Sequence, residues 1–388
     1  MTVTAHRIIS NTAQSPAPRI STVWHHDITK VPPAITERWR ALVTDGPYGE
    51  PFFQPEWFDA YARAFADCKR SHLITAHAGE RIVGVLPVVH KKHFFGKIPA
   101  KTLSGLSGIH SSRFDVIHDP SLASVVTSSM WESLKSEREW TVLEILDVPE
   151  DGAFHRILQE ALLDGFLGCA WSTRHMPLMQ LNPRDPFGNC PAASRTFRHR
   201  LTSKNRKLAE QHPLTLTSHS DLNRSALEDF LSLEMKGWKG TNRSAIASSA
   251  QTLQFYRSVA AEAANRGYLK IYSLERNGTP ISMHLGFQMQ GRYYAPKVAY
   301  NEELGRYSPG QILVERVIKD LSSQGVSTYE FLGPSAPWKR VWTLSFRSHH
   351  NIYIFRPTAT GRLLHATITQ GAAPLRKIKR SLFGDPQA

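Results

Sequence analysis

The sequence predicts an α/β (α+β) chain built from two copies of one helix-strand-strand unit. Three observations carry that prediction. The 388 residues are about twice the length of a common domain. An amphipathic helical stripe followed by two β-like runs occurs in the first half and again about 198 residues later, an offset of duplication rather than of a solenoid. Between the copies lies Asn182 to Ala193 (NPRDPFGNCPAA), whose prolines and glycine mark a connector.

The elements follow in order. Gln54 to Ala66 sets Trp57, Phe58, Tyr61 and Phe65 at helical spacing, with Pro55 suited to a first helical turn. His72 to His77 and Arg81 to His90 are β-like and joined at Gly79-Glu80, which predicts a hairpin. A helix near Pro120 to Lys135, a strand at Trp140 to Leu146, a helix at Gly152 to Asp164 and a strand near Trp171 to Leu181 complete the first copy. In the second, Thr252 to Asn265 is the matching helix, and Leu269 to Leu274 and Thr279 to Met289 are the matching strands, turning at Asn277-Gly278. The basic stretch Ser194 to Glu210 carries Phe197, Leu201 and Leu208 on one helical stripe. It reads as a solvated helix capping the second copy, or as a contact for phosphates of substrate or RNA.

Hydrophobic residues at 41% and charged residues at 21% are ordinary globular values, and no run approaches the ~18 apolar residues of a membrane span. Residues 1–20 are expected to be a disordered tail, since Met1 to Arg19 holds Ser, Thr, Ala and Pro without the apolar stretch of a secretory leader. Cys68, Cys169 and Cys190 stand far apart, with no metal-ligand spacing. They are expected to be buried, reduced thiols in a reducing cytosol, and no metal is expected. A formal charge of +14 suits phosphates of a nucleotide, a tRNA or an anionic membrane surface. The basic tail, with Leu363, Leu364, Ile368, Leu375, Ile378, Leu382 and Phe383 interrupted by Gly371 and Pro374, reads as a packed helix or as peripheral membrane contact.

Chemistry concentrates in the second copy. Gly305-Arg306-Tyr307-Ser308-Pro309-Gly310-Gln311 leads from the strands into an apolar helix, Ile312 to Leu321. Pro309 fits the first helical turn and Ser308 an N-cap, and such a terminus offers unpaired N–H groups and a positive dipole end to a pyrophosphate. No G-x-S-x-G elbow or Ser-His-Asp order appears, so direct attack by a bound acceptor is expected rather than covalent catalysis. In the first copy, Ser104 to Ser112 is Gly/Ser-rich and reads as a flexible loop.

Three segments, Phe230 to Gly240 (FLSLEMKGWKG), Tyr294 to Leu313 (YAPKVAYNEELGRYSPGQIL) and Tyr329 to Trp342 (YEFLGPSAPWKRVW), resemble in their order the bacterial CelD/BcsL-like GNAT family associated with cellulose biosynthesis, which is related to the FemAB aminoacyl transferases. Glu330 stands where that family has an aspartate. The resemblance implies two fused GNAT-like (acyl-CoA N-acyltransferase) domains, each a mixed, mostly antiparallel sheet flanked by helices. The N-terminal one, at 21–182, is expected to be degenerate and to form the acceptor side. A linker at 183–193, a catalytic C-terminal domain at 194–358 and a basic tail at 359–388 would follow.

The expected reaction moves an acetyl group from acetyl-CoA to an amine or hydroxyl of a sugar or polysaccharide-related acceptor in the cytoplasm or at the inner membrane. Arg306, Ser308, Pro309, Gly310 and Gln311 would hold the cofactor. Glu234 is the candidate base or acceptor-positioning carboxylate, and His284, Tyr300 and Tyr307 are candidate acid-base groups. Trp238, Lys239, Lys297, Trp338 and Lys339 would contact substrate. The rival readings are a FemAB-like transferase using aminoacyl-tRNA, and a non-catalytic nucleotide-binding scaffold.

Overall fold

The computed structural model describes residues 18–46, 48–187, 195–210, 212–222 and 224–370. The first half runs β1 (Ile20–His26), α1 (Pro33–Asp45), α2 (Pro55–Phe65), β2 (Ser71–Ala78), β3 (Arg81–Phe95), β4 (Ile98–Gly105), β5 (Ile117–His118), α3 (Ala123–Ser136), β6 (Val142–Pro149), α4 (Phe154–Leu163) and β7 (Leu167–Gln180). The second runs α5 (Arg195–Ala209), β8 (Leu214–His219), α6 (Arg224–Lys236), α7 (Trp238–Thr241), α8 (Ala250–Asn265), β9 (Leu269–Arg276), β10 (Thr279–Met289), β11 (Arg292–Tyr300), α9 (Pro309–Ser323), β12 (Thr328–Glu330), α10 (Pro337–Arg340), β13 (Phe346–Phe355) and α11 (Ala359–Gln370). Local chemistry accounts for several boundaries. Proline opens α1, α2 and α9, where its fixed φ suits the helix and its missing N–H costs nothing. Asn277 and Gly278 both take positive φ, 50° and 71°, the geometry of the tight turn that closes the β9–β10 hairpin.

The strands join into one thirteen-stranded sheet, ordered β1-β2-β3-β4-β6-β13-β7-β12-β11-β10-β9-β8 with β5 on β3. Pairing is antiparallel except at β4–β6 and β11–β12. The joint is β7. Leu167 to Pro177 pair with β13, and Leu178 to Gln180 pair with β12. The sequence reading counted 346–355 with the second copy, yet β13 lies between β6 and β7 of the first. Both its edges are satisfied there, and Ile352 and Ile354 enter the core of the first half while Phe355 packs under Leu364 and Ile368 of α11.

The halves meet helix to helix at α2 and α8, the two helices that the sequence repeat pairs. Trp57 lies fully buried among Phe52, Phe255 and Phe287, and its indole N–H donates to Ser111 Oγ at 3.1 Å. The stretch 104–112, expected to be flexible, is therefore pinned: Ser104 Oγ donates to Glu144 and Ser111 receives Trp57. Beside it, fully buried Arg113 donates to Glu50 (2.5 Å), to Glu330 (2.7 Å) and through Nε to His349 Nε2 (3.2 Å). This knot ties β12 and β13 to the first half. Glu50 also pairs with Arg347 (3.2 Å) and Glu330 with Arg292 (3.5 Å), so the knot is a network of three arginines and two carboxylates.

Leu201 and Leu208 of α5 are buried and Phe197 packs against Trp342, as the stripe predicted. Cys68 and Cys169 are free thiols but only partly buried. Burial pushes Cys169 up to about 12, so the thiol form is held. Cys190, most of the expected tail at 1–20, most of the 183–193 linker and the apolar positions from Gly371 to Phe383 lie outside the described residues. Among the described residues no helix is long and apolar enough to cross a membrane, and no cluster of three or more His, Cys, Asp or Glu could hold a metal ion.

Candidate active site

The parallel contact of β11 with β12 covers only Arg292 to Tyr294 against Thr328 to Glu330. From Ala295 to Tyr300, β11 is paired by β10 alone. Beside this unpaired stretch lies a cavity of about 340 Å³, bounded by α6 and α7 on one side and by the first turn of α9 on the other. Glu234, Trp238, Lys239, His284, Tyr300 and Trp338 reach it, as do Ser308, Pro309, Gly310 and Gln311. Most of the predicted residues thus converge from six segments.

The start of α9 differs in one respect from expectation. Ser308 occupies the N-cap position, but in the left-handed region (φ 56°, ψ 54°), and its side chain makes no cap bond. Its carbonyl accepts the N–H groups of Gln311 and Ile312, while its hydroxyl accepts from Lys204 Nζ of α5 at 2.8 Å. A non-glycine residue in this conformation costs about 1–3 kcal/mol and marks a place where backbone is held for a purpose. The result is a helix N-terminus facing a cavity with a lysine from α5 beside it. Gln311 is an anchor rather than a free ligand: Nε2 donates to the Trp338 carbonyl at 3.2 Å, and Oε1 accepts from Trp342 at 2.5 Å.

Glu234 is buried and committed. Oε1 accepts from Lys239 Nζ at 2.9 Å and Oε2 from the Ile246 N–H at 2.7 Å. Lys239 also donates to the Val298 carbonyl at 2.6 Å, so the pair fixes an ammonium at β11 next to the cavity. His284 is buried on β10, with Nδ1 3.4 Å from the Tyr329 hydroxyl. Burial, aided by the charge of Lys239, pushes it down to about 3. It is a neutral hydrogen-bonding group at neutral pH, too weakly basic to take a proton from an acceptor. Tyr300 is more exposed and stands at the mouth, against Gly310.

Four predicted residues do not line this cavity. Arg306 stacks over the Tyr307 ring, 4.7 Å from its centroid, and Tyr307 packs against the core beneath α9. Lys339 is buried, pushed down to about 8 by burial, and donates to the carbonyls of Leu332 and Pro334 (3.1 Å for the latter). Those donations clamp a turn in which Leu332 and Gly333 both have positive φ, a structural task in place of phosphate binding. Lys297 points to the opposite face of β11 from Val298. Sequence reasoning missed Ser282, which donates to the Ala299 carbonyl at 3.1 Å, and Glu302, which receives the Trp238 N–H at 2.5 Å. It also missed Lys204, hidden among the charges of α5. A hydrophilic helix and a strand serine carry no signal of their own.

Residues 195–340 match the family model described as an acetyltransferase (GNAT) domain, and the whole lining of the cavity falls within that span. The C-terminal domain (DUF2156) of a putative lysylphosphatidylglycerol synthetase from Agrobacterium fabrum superposes with a TM-score of 0.53 at 9% identity, over 86% of this chain and 95% of that one. FemX superposes with a TM-score of 0.54 at 12% identity, over 86% and 98%. A tandem GNAT protein from the clavulanic acid biosynthesis pathway aligns over 88% of this chain and 100% of its own at 13% identity, with a TM-score of 0.44. No curated protein matches the sequence. The class is that of the GNAT acyltransferase fold: a mixed α/β architecture of two GNAT-like units on a mostly antiparallel sheet.

Proposed function

We propose that the chain transfers an acyl group from an acyl-CoA thioester, acetyl-CoA being the first donor to test, to an amine or hydroxyl by direct attack. The observation that carries this reading is the N-terminus of α9 opening into the cavity beside the unpaired stretch of β11, inside the span that matches an acetyltransferase domain. First-turn N–H groups and the helix dipole suit the donor's pyrophosphate, and Lys204 adds a positive charge next to Ser308. The acceptor nitrogen or oxygen attacks the thioester carbonyl, the carbon–sulfur bond breaks, the thiolate leaves with a proton, and the proton released by the acceptor passes to solvent and from there back to the group that protonated the thiolate. Tyr300, the exposed hydroxyl at the mouth, is the donor of that proton. Glu234 serves on the acceptor side by holding Lys239 at β11, where its charge favours the developing oxyanion. A saccharide-related acceptor rests on the CelD/BcsL-like resemblance alone, and the reaction belongs in the cytoplasm, where acyl-CoA is found.

Tyr300→Phe should keep donor affinity by calorimetry and lose about a hundredfold or more in thioester turnover, the usual worth of a positioned acid. Unchanged turnover would remove Tyr300 from the mechanism. One observation favours a second reading, an aminoacyl-tRNA donor: α5 exposes Arg195, Arg198, Arg200, Arg206 and Lys207 on a fold shared with FemX. Failure to bind any CoA thioester, together with salt-sensitive retention of charged tRNA, would decide for it.

A further inference from the structure

Val298 lines the donor cavity, and its neighbour Lys297 turns to the other face of β11, toward the seam with the first half. There its Nζ lies over the ring of Tyr256 in α8, 5.2 Å from the centroid. The Tyr256 hydroxyl in turn stands 3.5 Å from Nδ1 of His110, which belongs to the pinned 104–112 stretch of the first half. His110 is stacked between Phe65 (5.0 Å) and Phe255 (5.7 Å), so three segments that are distant in sequence meet in an aromatic slot, and the Lys297 ammonium lies against its Tyr256 ring. Among the described residues, no oxygen hydrogen-bonds or ion-pairs with that ammonium. The carboxylate whose field reaches it is Glu234, and both oxygens of Glu234 are already taken by Lys239 and the Ile246 N–H.

A half-buried ammonium over an aromatic ring and without an anion is open to a ligand, and partial burial, with Lys239 adding repulsion against the pull of Glu234, lowers Lys297 to about 8. His110 is lowered to about 4 by burial and by Lys297, so it is neutral near pH 7. Glu234 and Lys239 cancel, leaving one net positive charge in the slot. We propose that Lys297, Tyr256 and His110 form the subsite for a carboxylate on the acceptor, so that the acceptor is an amino- or hydroxy-bearing monoanion such as an amino acid or a uronate. A phosphate dianion would leave an excess negative charge beside Lys297, whereas one carboxylate balances it. Adjacent residues of one strand then serve the two substrates, Val298 facing the donor and Lys297 the acceptor, and the first half contributes His110 directly. This inference rests on the acyl-CoA reading given above.

The test is calorimetry on the full chain with CoA present, using N-acetylglycine and its neutral amide, N-acetylglycinamide, as probes. The wild type should prefer the carboxylate by about tenfold or more, the scale of a charge-assisted hydrogen bond, and Lys297→Met should erase the preference while CoA affinity holds. Lys297→Gln replaces Met should the latter lose CoA affinity. A wild type that binds CoA and takes both probes equally, or neither, overturns the proposal alone, as does a CoA-binding Lys297 variant that keeps the preference. A wild type that binds no CoA overturns the donor reading and this subsite with it.

Discussion

Gly310 is the residue at which the donor site can be tested with least damage to the fold. It follows Pro309 in the first turn of α9, and a Cβ built there meets nothing nearer than the Tyr300 ring at 3.7 Å, an ordinary contact. Gly310→Asp therefore has room, and a carboxylate in the first turn of a helix stabilises it by about 0.3–1 kcal/mol. The same carboxylate repels a phosphate. Two unit charges about 5 Å apart at an effective dielectric of about 20 repel by about 3 kcal/mol, and each 1.4 kcal/mol is about tenfold in affinity. CoA should thus bind Gly310→Asp about a hundredfold more weakly by calorimetry, with the melting temperature unchanged or slightly raised. Gly310→Asn separates charge from volume and should lose far less. Wild-type CoA affinity in a folded Gly310→Asp variant would refute the site, and equal losses in Asn and Asp would refute the electrostatic account of it.

Stability should fall on the acid side because buried histidines are held neutral. His284 and His349 are both pushed down to about 3 by burial, and His349 Nε2 accepts from Arg113 and so must lack a proton. Unfolded histidine titrates near 6.5, so between about pH 6.5 and 3 the unfolded chain binds more protons. Stability is then full above 6.5 and is lost by about 1.4 kcal/mol per pH unit for each of the two as pH falls. Urea midpoints at pH 7.5 and 5 test this, and equal midpoints would contradict it. Lys339→Met should cost about 1–3 kcal/mol of stability through the freed Leu332 and Pro334 carbonyls and leave CoA affinity intact. A stable Lys339→Met protein with weakened CoA binding would restore the phosphate-binding role.

What was legible in the sequence was local. The helix at Pro55, the hairpin at Asn277-Gly278 and the Ser308-Pro309-Gly310 helix opening depend on residues adjacent in the chain, and each stands where it was expected. The gathering of Glu234, Lys239, His284 and Tyr300 at one cavity was not legible locally, since no spacing rule links α6 to β10 and β11; the family resemblance supplied only the cleft-facing placement of Glu234. The functions of single side chains were the least legible. A lysine in a Trp-Lys-Arg run cannot announce that its ammonium will clamp the carbonyls of residues 332 and 334, nor a serine that its φ will be 56° and its hydroxyl turned to Lys204. The non-local pairings escaped for the same reason: β13 has no feature that separates the edge of its own half from the interior of the other.

The placement of β13 bears on how the two halves work together. If β13 had closed the second half, each half could have kept a private sheet and a private core. Instead β13 lies within the first half of the one sheet, the end of β7 pairs β12 of the second half, and Arg113 ion-pairs with a carboxylate from each side of the join. The span that matches an acetyltransferase domain, 195–340, stops before β13 and lacks β7 and α2, so on its own it would expose one edge of β12 and the apolar face of α8. The unpaired stretch of β11 begins immediately beyond Tyr294, whose partner across the strands is Glu330 of that buried knot. The cleft thus opens where the join ends: β12 follows β11 only through the residues that the buried knot holds, and the cavity lies beside β11 beyond that point.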